Sequence, residues 1–512
     1  MKRILILTIA ILVTTTSLWA QRIGCVQGST ETRAHAIQKL PASNDFDPQK
    51  IYRQPVVLIT FNDTEFSMSD PAAYYNRLFN EEGFNEGKGK GCVADYFREQ
   101  SGGRLNLQFD IYGPVKVNAK AGGRKDEYAI SGNDLYGTKN MREAIQALDV
   151  PEGTDFTIYD WNGDGEVDQV IFVAAGFTGN SVSGYIWPNS GFTTMKMPGG
   201  MMINFYSISC EMWGDKSLCG IGTITHEFCH SFGLPDIYPQ SPVEDFSAVD
   251  EWDLMDGGNY TNYGWCPPNL SAMEKMFLGW ATPIELTEPT VIKNMKPVSD
   301  GGETYIIRNS GNPDEFYLLE YRRQEGWDYG CPGNGLLIYH VDYDKNAWVQ
   351  NIVNAETGHY RYDLFHADGK AYTDWDVNNN GKDKTRWTME NRLRSKYLST
   401  SPYPFYNPET ETTNASLTDE SNPAASLYTA NAEGKMFMGK PITNIQMDDE
   451  GNISFCFMKM NDTGVSDITG DGADIVGWYD LNGRRLHRQP LIPGIYIVRY
   501  SNGTQKKYFR QE

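Results

Sequence analysis

Near its middle the sequence contains the segment His226-Glu-Phe-Cys-His-Ser-Phe-Gly-Leu-Pro-Asp236. It predicts a helix with two histidines on one face, because residues at i and i+4 of an α-helix lie one above the other. Gly233 can adopt a positive φ that turns the chain out of the helix, and Pro235 prevents the helix from resuming. We therefore expect an active-site helix followed by a sharp turn that swings Asp236 back towards the histidines.

This spacing is typical of a catalytic zinc site, with His226, His230 and Asp236 as ligands and Glu227 as general base. At about 100° per residue, the ligating histidines and the glutamate share one side of the helix, and an apolar stripe that can pack on the core lies opposite. Three protein ligands leave a position open for water. Zinc would polarise a peptide carbonyl and acidify the bound water, and Glu227 would pass the water's proton to the leaving amine.

Glu274 is an alternative third ligand. It lies in the segment Ser271-Ala-Met-Glu-Lys-Met-Phe277, which can form a later helix of the kind that supplies a glutamate to zinc in thermolysin-like sites. The sequence leaves both carboxylates available, and the turn after Gly233 favours Asp236.

The same segment resembles the extended metzincin pattern, with Asp236 in place of the usual third histidine. Trp252-Asp-Leu-Met255-Asp-Gly-Gly258 is similar to the Met-turn beneath the metal of those enzymes. Over about residues 50 to 425 the chain resembles the immune inhibitor A family of secreted zinc metallopeptidases. Further segments carry this resemblance: Val93–Ser101, Asp160–Asp168, Gly279-Trp280, Phe316–Glu320 and Gly335–Asp342.

The resemblance implies a secreted zinc metalloendopeptidase with protein or peptide substrates and an α/β metzincin-like catalytic domain. One departure concerns the tyrosine that some metzincins place two residues after the methionine, since position 257 here is glycine. Tyr260 and Tyr263 are alternatives for its role in stabilising the transition state.

Composition shifts divide the chain into five parts. Lys2 and Arg3 precede a short apolar run that ends in a cleavage-site pattern at Ala20, which is typical of a secretory signal. Short strand patterns divided by Gly, Pro and Asn begin near Pro289 and predict a β-rich region. The expected parts are a signal peptide at 1–20, a leader or short pro-segment at 21–50, a catalytic domain at 51–288, a β-rich continuation at 289–460 and a small C-terminal β module at 461–512.

The C-terminal β module resembles the sorting domain used for type IX secretion, through Tyr479–Arg485 and Gly494–Val498. This resemblance implies that the secretion machinery is a partner and that the chain crosses the outer membrane to the cell surface or the medium. The formal net charge of −21 excludes nucleic acid as an expected partner, because phosphates would be repelled. The apolar run at the start is too short to be a transmembrane segment.

Alternating oxygen ligands in one glycine-broken loop predict a calcium site, although their side chains can equally satisfy the backbone of the loop itself as a turn. The candidate ligands are Asp160, Asn162, Asp164, Glu166 and Asp168. A second, weaker cluster consists of Asp374, Asp376, Asn378 and Asn380. His340, Asp342 and His366 are more typical of structural residues than of a metal site. Cys210 and Cys219 are close enough in sequence to form a disulfide bond.

A different class of function is also open. The chain can be a catalytically inactive surface binding or adhesive protein on a protease scaffold, with aromatic residues such as Trp327, Trp348, Trp375 and Trp387 available to bind sugars. Buried core positions are the simpler explanation of these aromatics. The complete set at His226, Glu227, His230 and Asp236 argues against a dead enzyme.

Overall fold

The computed structural model describes residues 46 to 510, apart from internal gaps. The gaps are 124–136, 239–246, 357, 371–397, 460–474, 481–483, 487–489, 491–493 and 502–504. The expected signal peptide, most of the leader and the second cluster at Asp374–Asn380 therefore lie outside the described residues.

A five-stranded sheet forms the centre of the N-terminal half, with the strand order β2-β1-β3-β5-β4. Strands β1, β2, β3 and β5 are parallel, and β4 pairs antiparallel with β5 at one edge. The bounds are β1 Ile51–Thr60, β2 Asn106–Lys116, β3 Val167–Phe177, β4 Asn189–Phe192 and β5 Ile203–Met212. The first ten residues of β3 are buried, as expected for a central strand covered on both faces.

Helices pack on this sheet, and one of them carries the histidine segment, which is buried in the protein core. Their bounds are α1 Pro71–Asn80, α2 Val93–Gln100, α3 Thr138–Gln146 and α4 Gly222–Ser231. The ring of Phe228 on α4 packs edge-on against Phe97 of α2 at 5.0 Å and against Phe232 at 5.1 Å. These buried aromatic contacts hold α4 against α2.

The second half of the chain is rich in strands, as the sequence predicts. One sheet has the order β11-β10-β9-β8-β6, a second has β14-β15-β7, and β12 and β13 form a hairpin. The strand bounds are β6 Ile284–Glu285, β7 Thr290–Met295, β8 Tyr305–Arg308, β9 Glu315–Arg322, β10 Gly335–Asp342, β11 Tyr362–Leu364, β12 Phe405–Asn407, β13 Thr412–Asn414, β14 Ile442–Met447 and β15 Ile453–Phe457. One short helix, α6 Lys345–Val349, accompanies them, whereas α5 Ala272–Phe277 precedes β6 at the end of the N-terminal half.

A buried polar network joins the two halves. Arg322 donates to Glu320 at 2.8 Å and to Asp328 at 2.6 Å, and the side chains of Arg322 and Glu320 are fully buried. Glu320 accepts the backbone N–H of Ala272, and Asp328 accepts two hydrogen bonds from Asn269. The β-rich residues therefore supply hydrogen bonds to the segment that leads into α5.

The C-terminal residues form a four-stranded sheet with the order β17-β16-β18-β19. Its strands are β16 Ile475–Tyr479, β17 Arg485–Leu486, β18 Gly494–Tyr500 and β19 Gln505–Arg510. This agrees with the expectation of β structure at this end, and its role in secretion stays a prediction.

Within the described residues Cys210 and Cys219 do not form the disulfide bond that their spacing allows. Among the described residues, no helix combines the length and the apolar character needed to cross a bilayer.

Candidate metal centre

Helix α4 ends in the sharp turn that the sequence predicts. Gly233 has a φ of 90°, its N–H bonds to the carbonyl of His230, and the N–H of Leu234 bonds to the carbonyl of Cys229. These two hydrogen bonds form a Schellman motif, which requires a left-handed residue after the helix. Gly233 supplies that conformation without strain, and the chain reverses towards the histidine face.

Backbone carbonyls orient both imidazoles. His226 Nδ1 lies 2.8 Å from the carbonyl oxygen of Leu254, and His230 Nδ1 lies 2.8 Å from that of Leu234. A carbonyl can only accept, so each Nδ1 carries the proton and, in the neutral ring, Nε2 is left with its lone pair. Both rings are thus held in the tautomer that binds metal through Nε2.

The predicted ligands converge on one buried point. Asp236 Oδ1 lies 3.2 Å from His226 Nε2 and 3.3 Å from His230 Nε2. Glu227 brings a carboxylate oxygen into the same group, since its ligand atom and those of the two histidines lie within 4.8 Å of one another. All four side chains belong to buried residues. The structure therefore brings together every residue that the sequence assigns to the zinc site and its base.

The electrostatics of this group fit a bound cation. Burial lowers the pKa of His230, but the Asp236 carboxylate outweighs burial and raises it to about 9. Burial raises the pKa of Asp236, but the adjacent imidazoles of His230 and His226 hold that pKa below its usual value. Apart from Asp236, neither Nε2 atom has a polar partner among the described residues. Two nitrogens and one carboxylate oxygen are ligands that zinc accepts.

The segment around Met255 fixes both sides of the site. Its Leu254 carbonyl holds His226, and the carbonyl of Met255 accepts the N–H of Ile237, the residue after Asp236. Met255 itself is fully buried. A side chain at position 257 would require the Asp250 carboxylate to move, because a Cβ built on Gly257 would lie 1.9 Å from Asp250 Oδ1.

The structure gives other surroundings to Glu274, the alternative zinc ligand, and to Tyr260 and Tyr263, the alternatives for the tyrosine that stabilises the transition state. Glu274 forms a capping box with Ser271 at the start of α5, and burial together with the Asp253 carboxyl raises the pKa of Glu274. Tyr260 accepts a hydrogen bond from Asn180 at 3.0 Å, and Tyr263 leaves 52% of its surface exposed. Glu274 thus has a structural role in capping a helix.

The predicted calcium loop has the hydrogen bonds of the self-satisfied turn that the sequence left open. Asp160 accepts from the N–H groups of Gly163 and Gly165, and Asp164 accepts from that of Glu166. Asp168 accepts from the N–H of Trp161 and the amide of Asn162. Calcium binding at this loop stays a prediction.

His340, Trp327 and Trp348 have the contacts of structural residues. His340 Nε2 lies 2.8 Å from Glu315 Oε1, and its ring stacks between Phe365 and Tyr428. Trp327 and Trp348 are buried in the core. Trp375, Trp387 and any contacts they make lie outside the described residues.

Sequence reasoning missed one side chain at the site, Asn351. It lies 115 residues after Asp236 and exchanges two hydrogen bonds with it. No local pattern marks a contact over that separation. The only local signal is that asparagine tolerates a left-handed backbone, and Asn351 has a φ of 56°.

Comparisons with known proteins agree with this site. Residues 193–281 match the family model of the immune inhibitor A peptidase M6 catalytic domain, a range that includes α4 and Met255. The chain is also similar to Immune inhibitor A of Bacillus thuringiensis subsp. alesti, with 25% identity over 284 residues. The aligned region spans 45% of this chain and only 41% of that relative. The predicted resemblance to the immune inhibitor A family is confirmed, and it indicates a metallopeptidase.

Proposed function

We propose that this protein is a secreted zinc-dependent endopeptidase that hydrolyses peptide bonds in proteins. The observation that carries the proposal is the convergence of His226 Nε2, His230 Nε2 and Asp236 Oδ1 beside Glu227. The three ligating side chains would hold the zinc ion. When bound, zinc supplies a Lewis acid that polarises the peptide carbonyl and acidifies water.

Glu227 would move the proton. Its carboxylate belongs to the same buried group as the histidines. Because Glu227 follows His226 directly on α4, its side chain points about 100° away from that of His226 and would reach the proposed zinc site from one side. From there it can accept a proton from the attacking water and deliver it to the leaving nitrogen. The surrounding apolar core excludes bulk water and strengthens these charge interactions.

Export is part of the proposal. A signal at 1–20 would direct the chain out of the cytoplasm, and the C-terminal sheet would engage the type IX secretion machinery. Phe46, within the proposed leader at 21–50, is buried and packs against Tyr52 and Trp161, which favours a leader that ends before Phe46.

Removal and return of metal test the proposed activity. Wild-type protein should digest casein, lose this activity on treatment with a zinc chelator, and regain it on addition of zinc with calcium held constant. Casein digestion that persists at zero bound zinc would contradict the proposal. Absence of digestion by the zinc-loaded chain would favour the inactive binding protein.

A further inference from the structure

Asn351 lies at the end of α6, in the β-rich half of the chain, and contacts the third proposed zinc ligand. Its Nδ2 donates to Asp236 Oδ2 at 2.7 Å, and its Oδ1 accepts the backbone N–H of Asp236 at 2.6 Å. Asn351 and Asp236 are both buried, with 6% and 1% of their surfaces exposed. The paired hydrogen bonds fix both the backbone and the carboxylate of Asp236.

This arrangement separates the two oxygens of Asp236. Oδ2 is held by the amide of Asn351, whereas Oδ1 faces the two histidine Nε2 atoms. A carboxylate without this constraint could rotate and present either oxygen, or both, to the metal. We propose that Asn351 is a positioning residue that holds Asp236 for binding zinc through Oδ1 alone, so that the β-rich half completes the metal site. This inference rests on the proposed zinc site.

The backbone around Asn351 suggests a simpler explanation that must be separated from this one. The N–H of Asn351 bonds to the carbonyl of Trp348, and the N–H of Ile352 bonds to that of Ala347. These bonds form a Schellman motif at the end of α6, in which position 351 needs a left-handed residue. Asparagine could therefore be present only to end the helix. Glycine would do this equally well but would contribute no amide to Asp236.

The substitution Asn351→Gly separates the two explanations, because it keeps the helix end and removes the amide. Asn351→Asp keeps the size and the left-handed preference but places a second carboxylate against Asp236. Asn309→Ala is a matched control, since Asn309 is also buried and also donates to a carboxylate, Glu315 at 3.0 Å. All are made in the full chain.

Zinc affinity is measured by competition with a chromophoric chelator, and metal-free melting temperature is measured in parallel. We expect Asn351→Gly to bind zinc on the order of 10- to 100-fold more weakly than wild type, as found for residues that orient metal ligands. Asn351→Asp should lose more, and Asn309→Ala should keep wild-type affinity even if it melts earlier.

Zinc affinity within twofold of wild type in Asn351→Gly would overturn the positioning role and leave the helix-end explanation. If Asn351→Gly does not fold, normal zinc affinity in Asn351→Asp would overturn it equally. A failure of the proposed function looks different, because wild type itself would then bind no zinc at His226 and His230.

Discussion

Asp236 and Glu274 are the two carboxylates that the sequence offers as the third zinc ligand. Asp236→Ala should lose most of its zinc, because Oδ1 is the oxygen beside both histidine Nε2 atoms. Glu274→Gln should keep its zinc, because Glu274 caps α5 through Ser271. Metal analysis of both purified variants checks this prediction. Full zinc in Asp236→Ala together with loss in Glu274→Gln would reverse the assignment.

The pattern of His226 to Asp236 predicts which side chains converge, because their spacing reflects local helix geometry and one turn. It could not predict Asn351 or the carbonyl of Leu254, which reach the site from distant segments. Contacts of this kind depend on tertiary packing and leave no periodic signal in the sequence.

For the helices and strands too, the local sequence indicates the type of element but not its distant partners. The residues that form α2, β9 and β10 follow the patterns typical of a helix and of buried strands, because periodicity reports which face of an element is buried. Such patterns do not identify the partner of β2, which pairs parallel with β1. Nor do they show that all ten residues of α4 are buried, including its polar side.

The loop before β3 provides a prediction about calcium. If the loop binds calcium, the ion should raise the melting temperature of the wild type, because a ligand that binds only the folded state stabilises it. Asp164→Ala should not respond to calcium, whereas the control Asp155→Ala should, since Asp155 caps a separate turn at Thr157. Thermal melting over a calcium series, with the zinc site filled, makes the comparison. Identical responses of Asp164→Ala and wild type would leave the loop as a turn only.

Asp168 in that loop should make the stability of the folded protein depend on pH. Burial, together with the charges of Asp164 and Asp160, raises the pKa of Asp168 to about 7 from 3.8. A carboxyl with a raised folded pKa destabilises the folded state as pH rises from the unfolded value through the folded one. Without calcium, wild type should therefore lose stability relative to Asp168→Asn between about pH 4 and pH 7. Melting curves that stay parallel across this range would contradict the prediction.

At the scale of the whole molecule, the two halves depend on each other through Arg322. Arg322→Met would leave Glu320 and Asp328 as buried, uncompensated carboxylates, which costs about 3–5 kcal/mol. The neighbouring Arg323→Met should cost less than about 1 kcal/mol, because the Arg323 side chain is 31% exposed and pairs with Glu325 near the surface. Denaturant unfolding measures both. Equal effects of the two substitutions would show that the buried network does not hold the halves together.

In the proposed zinc peptidase, Glu227 handles protons and does not hold the metal. The most direct test measures zinc content and casein cleavage on the same preparation of Glu227→Gln, beside wild type and the exposed control Glu82→Gln, whose native side chain is 85% exposed. We predict one zinc per chain in all three proteins and a rate on the order of 10² to 10⁴ lower in Glu227→Gln alone. Near-wild-type cleavage by a zinc-loaded Glu227→Gln preparation would contradict the account.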